Sequence, residues 1–326
     1  MTRILTLVLL FALLLSACGN QPAATSQTVQ YPTQPINIMA PASPGGGWDS
    51  TARTMQAALA ATTGQTVQVY NVSGAGGTIG LAQFVNEAKG KPHELMVGGL
   101  VMVGAIQTNK APVNLSQVTP IALLTAEAEA IVVPADSKYQ TLQALIADFK
   151  ANPTAISWGG GSAGGTDHIL VGLIAKAVGV APNQVNYIAY SGGGEATAAI
   201  LSGAVTAGAS GVSEFAEQVA AGTMRMLAVS SEERIEGVNA PTLKEAGVDV
   251  ALMNWRAVFG APNLTAEQRA AVIATIEKMH ASKEWQEALA KNGWRDFFRT
   301  GDEFSTFLQN EIKRIEGVLR DLGLVQ

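Results

Sequence analysis

Short apolar runs alternate with longer amphipathic runs from residue 35 onward. PINIMA, QTVQVYNV and HELMVGG have the pattern of strands, and DSTARTMQAALAATTG and GTIGLAQFVNEAK between them have the pattern of helices. AISWGGG opens a second block with the same alternation. It follows a strand, EAIVVPADS, and an amphipathic helix, TLQALIADFKANP, that together look like a crossing into a second domain. The alternation predicts an α/β fold with a largely parallel sheet.

The last strand-like run is ALMNWRAVFGAP at 251–262, and only helical pattern follows it from Thr265, where NLTAE resembles a helix cap. Helices without a new strand need another body to pack on, so we expect the C-terminal segment to return to the first domain. Two crossings between two α/β lobes form a clamshell, with residues 31–130 and 255–326 in domain 1 and residues 131–254 in domain 2. Ligands of such sheets bind outside the carboxyl ends of the strands.

Composition allows a large core and excludes a basic surface. The 326 residues are 48% apolar and 14% charged, and the formal net charge is −5. An acidic chain does not indicate nucleic-acid binding, so attraction of an anion must come from groups local to a site.

The first seventeen residues, MTRILTLVLLFALLLSA, carry one positive charge at Arg3, then an apolar core and small residues. This pattern predicts a secretion signal, since the core is too short to span a membrane. Cys18, the single cysteine, follows Leu-Ser-Ala and resembles the bacterial lipoprotein box, which implies cleavage before Cys18 and lipidation of its sulfur; a stray or buried thiol is the alternative. Residues 18–30 then form a flexible, lipid-anchored tether.

Four glycine-rich turns each lie between a strand-like and a helix-like run. They are the first turn PGGGWDS (44–50), the second turn SGAGGT (73–78), the third turn GGGSAGGT (159–166) and the fourth turn YSGGGE (190–195). Glycine lets a ligand approach the main chain, and the free N–H groups at a helix start attract a negative group. A plain connector is the alternative for any one turn. Four turns at corresponding places of two lobes favour an anion site.

Nucleotide binding does not fit these turns. A Walker loop needs a Lys-Ser or Lys-Thr pair after its glycines, and none of the four turns has one. The glycines of residues 74–80 are spaced GxGxxxG, which is one residue too long for the dinucleotide fingerprint.

A hydrolase is a second possibility, because GGSAG at 160–164 fits the G-x-S-x-G nucleophile elbow. The only histidines after Ser162 are His168, on the helix that the elbow would start, and His280, in a polar helical stretch. Three scattered histidines and one cysteine give no metal-ligand spacing, so we expect neither a metal nor a cofactor. For His168, a hydrogen bond to the glycine turn is favoured over metal ligation.

The ordered motifs PxxPGGGWDxxAR, QVxNVxGAGGTIGLAQ, GGGSxGGTxxH, YxGGGEAxxAILSG and PTLxEAGxDVxxxNWRAVFGAP resemble the substrate-binding proteins of tripartite tricarboxylate transporters, the Bug or TctC family. The resemblance covers the chain from Tyr31 to the C-terminus. It implies a monomeric, extracytoplasmic binding protein with a type II, Venus-flytrap periplasmic-binding-protein fold and no catalytic activity. Such a protein closes on a carboxylate and delivers it to a permease with one large and one small membrane subunit. A ligand-sensing subunit for a signalling kinase would use the same pocket, so that alternative stays open.

The resemblance also implies which residues bind the ligand, all of them in the turns or at strand ends. They are Gly45, Gly46, Gly47, Trp48 and Asp49; Gly74, Ala75, Gly76 and Thr78; Gly160, Ser162, Thr166 and His168; Tyr190, Gly192 and Gly193; and Ser210 and Gly211. The Trp-bearing first turn resembles the citrate-binding branch, so a tricarboxylate such as citrate is the first choice.

Four side chains near these turns have two interpretations each. Trp48 either donates its indole N–H to a carboxylate or packs between the lobes, and for Trp255 packing is favoured. Arg53 lies four residues after Asp49, which predicts a surface ion pair. Arg256 either reaches the cleft or lies exposed on the hinge strand.

Overall fold

A computed structural model describes residues 30–190 and 193–325 of the chain. Strands and helices alternate through it, which confirms the predicted α/β fold. The strands are β1 Ile36–Ala40, β2 Val67–Asn71, β3 Glu94–Gly99, β4 Thr119–Pro134, β5 Ser157–Gly160, β6 Asn186–Ala189, β7 Ala207–Gly211, β8 Met224–Val229, β9 Met253–Gly260 and β10 Arg295–Thr300. The helices are α1 Gly47–Thr63, α2 Thr78–Glu87, α3 Leu100–Thr108, α4 Leu142–Ala151, α5 Thr166–Ala177, α6 Gly193–Leu201, α7 Val212–Ala220, α8 Ala266–His280, α9 Lys283–Asn292 and α10 Gly301–Asp321.

The strands form one continuous sheet in the order β2-β1-β3-β9-β4-β7-β5-β6, with β8 and β10 also paired to β4. In the first half, β1, β2 and β3 are parallel and β9 is antiparallel to β3. In the second half, β5, β6 and β7 are parallel. Parallel strands end at the same edge, so the turns that follow them collect at one edge of each half.

The long strand β4 joins the two halves. Its residues up to Ala128 pair with β9, and its residues from Glu129 pair with β7. This change of partner lies two residues before the predicted domain boundary at residue 131. The segment from β8 to β9 makes the second connection between the halves, and the division into two domains stays a prediction.

The apolar face of every layer is buried between the sheet and the helices. Most side chains of β4 are inaccessible to solvent, and so are Trp158, Trp255 and Trp285. One cluster of buried apolar residues extends through both halves, and a smaller one, around Val205 and Phe215, lies under α6 and α7. The helices therefore start from fixed positions at the sheet edge, which fixes the turns that precede them.

The prediction that only helices follow Thr265 is wrong. The segment Arg295–Thr300 forms β10, an edge strand that pairs antiparallel with β4. Its sequence, RDFFRT, has charged residues on both sides of two phenylalanines and no buried alternation, so it lacks the usual pattern of a strand. The predicted cap is confirmed, because the Thr265 and Gln268 side chains form a capping box at the start of α8.

The C-terminal helices pack on the first half of the sheet. Helices α8 and α9 contact α1, and α10 contacts β4 and α3. Among the described residues, none of the helices combines the length and apolar character needed to cross a membrane. The predicted signal segment (1–17), the lipidation site Cys18 and the predicted tether up to residue 29 lie outside the described residues.

Candidate functional site

The two halves of the sheet meet at their glycine turns. Gly104 of α3, in the first half, lies so close to the third turn that a Cβ atom added to it would be 2.1 Å from the Gly164 carbonyl oxygen. Val101 of the same helix approaches Gly76 of the second turn and Gly165 of the third. We call the space between the first and second turns on one side, and the third turn and residues 210–213 on the other, the cleft.

The first turn is held by the buried carboxylate of Asp49. Its Oδ2 accepts hydrogen bonds from the Gly45 N–H at 2.8 Å and from Arg53 Nε at 2.9 Å, and its Oδ1 accepts from Asn71 Nδ2 at 2.9 Å. Burial alone would raise the pKa of Asp49, but the hydrogen bonds from Arg53, Gly45 and Asn71 outweigh burial and lower the pKa. Asp49 therefore shapes the turn, and the predicted surface pair with Arg53 is confirmed.

Helix α1 begins directly after this turn with N–H groups that lack acceptors. The first hydrogen bond of the helix runs from the Ser50 N–H to the Gly46 carbonyl, and within the described chain the N–H groups of Gly47, Trp48 and Asp49 have no partner. Unpaired donors at the positive end of a helix, here of 17 residues, are the groups to which anions bind in proteins, and the anion site itself stays a prediction.

The Trp48 side chain is 8% exposed and packs within the first half. A Cβ atom on Gly77 would lie 2.6 Å from its ring, and one on Gly99 would lie 3.2 Å from its Nε1. The ring of Trp48 is therefore a packed side chain. The donation of its indole N–H to a ligand stays a prediction.

The second turn has four consecutive residues with positive φ: Gly74 (123°), Ala75 (49°), Gly76 (60°) and Gly77 (87°). A Cβ atom on Gly76 or Gly77 would also collide with a neighbouring side chain, so glycine is required there for both reasons. The Thr78 hydroxyl, predicted to face the ligand, donates to the Ala75 carbonyl at 2.9 Å. Thr78 therefore closes its own turn.

The third turn is organised by two side chains at the start of α5. Asp167 Oδ2 accepts from the Gly161 N–H at 2.6 Å, and His168 Nδ1 accepts from the Gly164 N–H at 3.1 Å. The His168 ring stacks on Tyr187 with centroids 4.2 Å apart, and Tyr187 donates its hydroxyl to the Gly161 carbonyl. The predicted hydrogen bond between His168 and the turn is confirmed.

The two hydroxyls predicted to line the third turn differ in position. The Ser162 side chain is partly exposed, and its carbonyl accepts from the Gly165 N–H. The Thr166 hydroxyl is sealed from solvent and has no hydrogen-bond partner among the described residues. In this arrangement Ser162, and not Thr166, is accessible to a ligand; Gly160 is buried beneath the turn, against Tyr187 and Ala209.

Burial lowers the pKa of His168 to about 4. A neutral ring is needed because Nδ1 accepts the Gly164 N–H, which leaves the proton on Nε2. The stability that this ring gives is present above the ordinary histidine pKa of about 6.5 and is lost as pH falls toward 4. We expect the imidazole C–H resonance of His168, assigned in NMR spectra by its loss in His168→Gln, to titrate near pH 4; a midpoint near 6.5 would contradict the buried, hydrogen-bonded ring.

Only part of the fourth turn is described. The Tyr190 N–H donates to the Gly160 carbonyl, and the Tyr190 ring packs against Gly159 and the cluster around Val205. Gly193 begins α6, and the predicted residue Gly192 lies outside the described residues. Tyr190 thus fixes the third turn to β6.

Ser210 and Gly211 end β7 beside a group of buried acidic side chains. The Ser210 hydroxyl donates to Glu214 Oε2 at 2.7 Å, and a Cβ atom added to Gly211 would lie 2.9 Å from Glu127 Oε1. Glu129 is completely buried, and neither of its oxygens has a hydrogen-bond donor among the described residues. Burial, then the nearby Asp167 charge, raise the pKa of Glu129 well above its usual range. The described residues include no group of three acidic, histidine or cysteine side chains arranged for a metal.

Glu127 and Arg256 form a buried ion pair at the junction of the halves. Arg256 Nη2 donates to Glu127 Oε2 at 2.7 Å, and Glu127 Oε1 accepts from the Ser213 N–H at 2.7 Å. Arg256 is only 5% exposed, so the exposed-hinge interpretation is wrong. Trp255 is buried and donates its Nε1 to Glu311, which confirms the packing interpretation.

Sequence reasoning missed Glu127, Glu129 and Asp167. A signal was present, because Glu127 and Glu129 are two residues apart in an otherwise apolar strand and so share one face of β4. Two carboxylates on one face of a buried strand need partners there. Asp167 had a weaker signal as an acidic residue in the first turn of α5.

A catalytic triad is not assembled around Ser162 in the described part of the chain. His168 Nδ1 accepts a backbone N–H and its ring stacks on Tyr187. His280 bonds Asp296 and stacks on Phe298 of β10 in the first half of the sheet. Neither histidine is hydrogen-bonded to Ser162.

Two α/β halves joined at β4, with helix N-termini around the cleft, define a two-lobe solute-binding protein. The model of the tripartite tricarboxylate transporter family receptor matches residues 51–324, and the chain belongs to that family. BugT of Bordetella pertussis is 29% identical over 328 residues, which cover 99% of this chain and 98% of BugT.

Solved structures confirm the two-lobe fold. MatC of Rhodopseudomonas palustris, with bound malate, has a TM-score of 0.76 and 21% identity, covering 89% of this chain and 100% of MatC. A second R. palustris protein, with adipate, has a TM-score of 0.80 and 21% identity, covering 90% and 99% of the two chains. The family and the fold are those of substrate-binding proteins and not of enzymes.

Proposed function

We propose that this protein is an extracytoplasmic receptor that captures a carboxylate in the cleft and delivers it to a tripartite transporter permease. The observation that carries the proposal is the free start of α1, where three N–H groups lack acceptors among the described residues. Two proteins with the same fold hold malate and adipate, which are both carboxylates. A carboxylate is therefore the ligand class that the turns suit best.

We favour a tricarboxylate such as citrate as the ligand, with the indole N–H of Trp48 as an additional donor. Cys18 carries the lipid that anchors the receptor to the membrane, in the periplasm or on the outer cell surface. The receptor works as a monomer and docks on the large and small permease subunits. The family membership of residues 51–324 supports the permease as partner.

Closure of the two lobes gives the receptor its mechanism. A ligand that contacts turns of both halves stabilises the closed form relative to the open form by its differential affinity for the two. The permease then distinguishes the closed, loaded receptor from the open, empty one. The strands that cross between the halves, β4 and the segment before β9, are the natural hinge.

A ligand panel tests the proposal. The chain without its signal segment is screened by thermal shift against citrate, malate, adipate, aromatic acids and amino acids. A ligand at 100 times its Kd should add about 2.7 kcal/mol to the free energy of unfolding. Small-angle scattering with the best ligand should show compaction. No shift with any carboxylate would overturn the proposal.

The same preparation separates binding from hydrolysis. Ser162→Ala should change ligand affinity, and neither the variant nor the unmodified protein should turn over an ester. Ester turnover that disappears in Ser162→Ala would favour the hydrolase instead. A sensor role differs only in its partner, so it is tested by co-purification with the two permease subunits.

A further inference from the structure

Arg256 lies against the first residue of α1. A Cβ atom added to Gly47 would be 2.8 Å from Arg256 Nη2 and 3.0 Å from Cζ, so the guanidinium occupies the space that only a glycine leaves. Arg256 reaches this place from β9, where it pairs in register with Gly99 at the end of β3. The guanidinium therefore stands at the edge of the sheet where the first turn begins.

Only part of the guanidinium is used within the protein. Nη2 donates to Glu127, and Cζ lies 5.2 Å from the centroid of the Trp294 ring. Within the described chain Nε and Nη1 have no hydrogen-bond partner, and neither is among the polar atoms sealed from solvent without one. These nitrogens are therefore not sealed from solvent.

The charges around Arg256 are arranged for an additional anion. A cation at the positive end of a helix is unfavourable unless a negative group lies close. The nearest one, Glu127, also accepts the Ser213 N–H at the start of α7. One carboxylate thus serves both a guanidinium and the start of α7. The Asp49 carboxylate, in the first turn of α1, accepts from Gly45, Arg53 and Asn71 and not from the first N–H groups of the helix.

The other buried acids do not cancel this positive charge. Burial is the main cause that raises the pKa of Glu129, Asp167 and Glu214 above their ordinary values. Raised pKa values favour the neutral forms of these carboxyl groups. The guanidinium of Arg256 is therefore the charged group beside Gly47 with which an anionic ligand can pair.

We propose that Arg256 binds a second carboxylate of the ligand, while the start of α1 binds the first. This inference rests on the proposed function and narrows it: the receptor selects dicarboxylates and tricarboxylates over monocarboxylates of the same length. Arg256 is then a specificity-determining residue. Its planar fork suits a carboxylate better than an ammonium group would.

Matched ligands and matched variants test the inference by calorimetry. The ligand pairs are adipate with hexanoate and malate with 2-hydroxybutyrate, with citrate as the tricarboxylate. Removing Arg256 alone would leave the buried Glu127 charge unpaired and endanger folding. The comparison is therefore Glu127→Gln against the double variant Glu127→Gln with Arg256→Met, which differ only at Arg256. Arg320→Met, at an exposed arginine paired with Glu316 on α10, is the control.

From the single to the double variant, the Kd of the diacids and of citrate should rise about 10- to 100-fold, and that of the monoacids less than about threefold. Arg256→Lys keeps the charge, folds without an unpaired carboxylate, and should weaken the diacids alone, by about 3- to 10-fold. Equal effects on mono- and diacids, or no effect, would overturn the inference. An unmodified protein that binds monoacids as tightly as diacids would also overturn it and leave the proposed function standing. Binding of no carboxylate at all would remove the proposed function itself.

Discussion

Replacing Gly104 by alanine is expected to lower ligand affinity about 10- to 100-fold while the free energy of unfolding stays the same or rises. The added Cβ atom would lie 2.1 Å from the Gly164 carbonyl oxygen, a backbone atom that cannot turn away. If the lobes open, this collision exists only in the closed form. Overpacking costs about 1 to 3 kcal/mol, which corresponds to the expected loss of affinity.

The same substitution favours the open form for a second reason. Alanine in the interior of α3 is about 1 kcal/mol better than glycine as a helix former, and opening relieves its collision. Gly317→Ala on α10 is the matched control, because a Cβ atom there meets nothing within 4 Å. Calorimetry measures affinity and chemical denaturation measures stability. A Gly104→Ala protein that binds normally, or that loses several kcal/mol of stability, would show that this contact does not open.

The sequence predicted the alternation of strands and helices because that pattern is local. It also predicted the positions of the turns, since glycine clusters mark where a strand ends and a helix starts. It missed β10 because RDFFRT is an edge strand whose side chains remain partly exposed. The partner of this strand, β4, lies about 170 residues earlier in the sequence. The hydrogen bond from the Thr125 hydroxyl to the Arg295 carbonyl spans that separation. Short, exposed strands held by distant partners leave little periodicity to detect.

The candidate site also has features that the sequence predicts and features that it does not. Glycines and the start of α1 were predictable, because backbone geometry restricts the residue type at such turns. The roles of the side chains that hold the turns were harder to predict. The Asp49 carboxylate holds the first turn, and the Thr166 hydroxyl is sealed beneath the third. Arg256, on β9, is buried against Gly47 of α1 and Glu127 of β4. These three residues come together only in the fold, so the sequence did not reveal that Arg256 is buried.

Replacing Glu129 by glutamine is expected to stabilise the protein near pH 8 and to have little effect near pH 4. Glu129 is completely buried, has no hydrogen-bond donor for either oxygen among the described residues, and lies near Asp167, Glu127 and Glu214. Burial and these charges raise its pKa well above the usual range. The folded protein therefore holds a proton on Glu129 that the unfolded chain releases above about pH 4.3.

The direction of the pH dependence follows from that proton. Where the folded state binds more protons than the unfolded state, the free energy of unfolding falls as pH rises, until the folded pKa is reached. Glutamine has no proton to lose, and its amide N–H₂ can donate to Asp167 as a protonated glutamate would. At pH 8 the variant should therefore be the more stable of the two proteins, because it does not lose this contribution as the pH rises.

Chemical denaturation of the unmodified and Glu129→Gln proteins from pH 4 to pH 8 measures the difference between their free energies of unfolding. The contributions of the other titrating groups to this difference largely cancel. Glu236→Gln, at an exposed glutamate, should give a difference close to zero at every pH. A constant difference between the Glu129→Gln and unmodified proteins would mean that Glu129 titrates normally. A less stable variant at pH 8 would mean that Glu129 is ionised in the fold and paired with a cation. The expected rise would instead show that Glu129 is held neutral in the fold, beside the Asp167 side chain that holds the third turn.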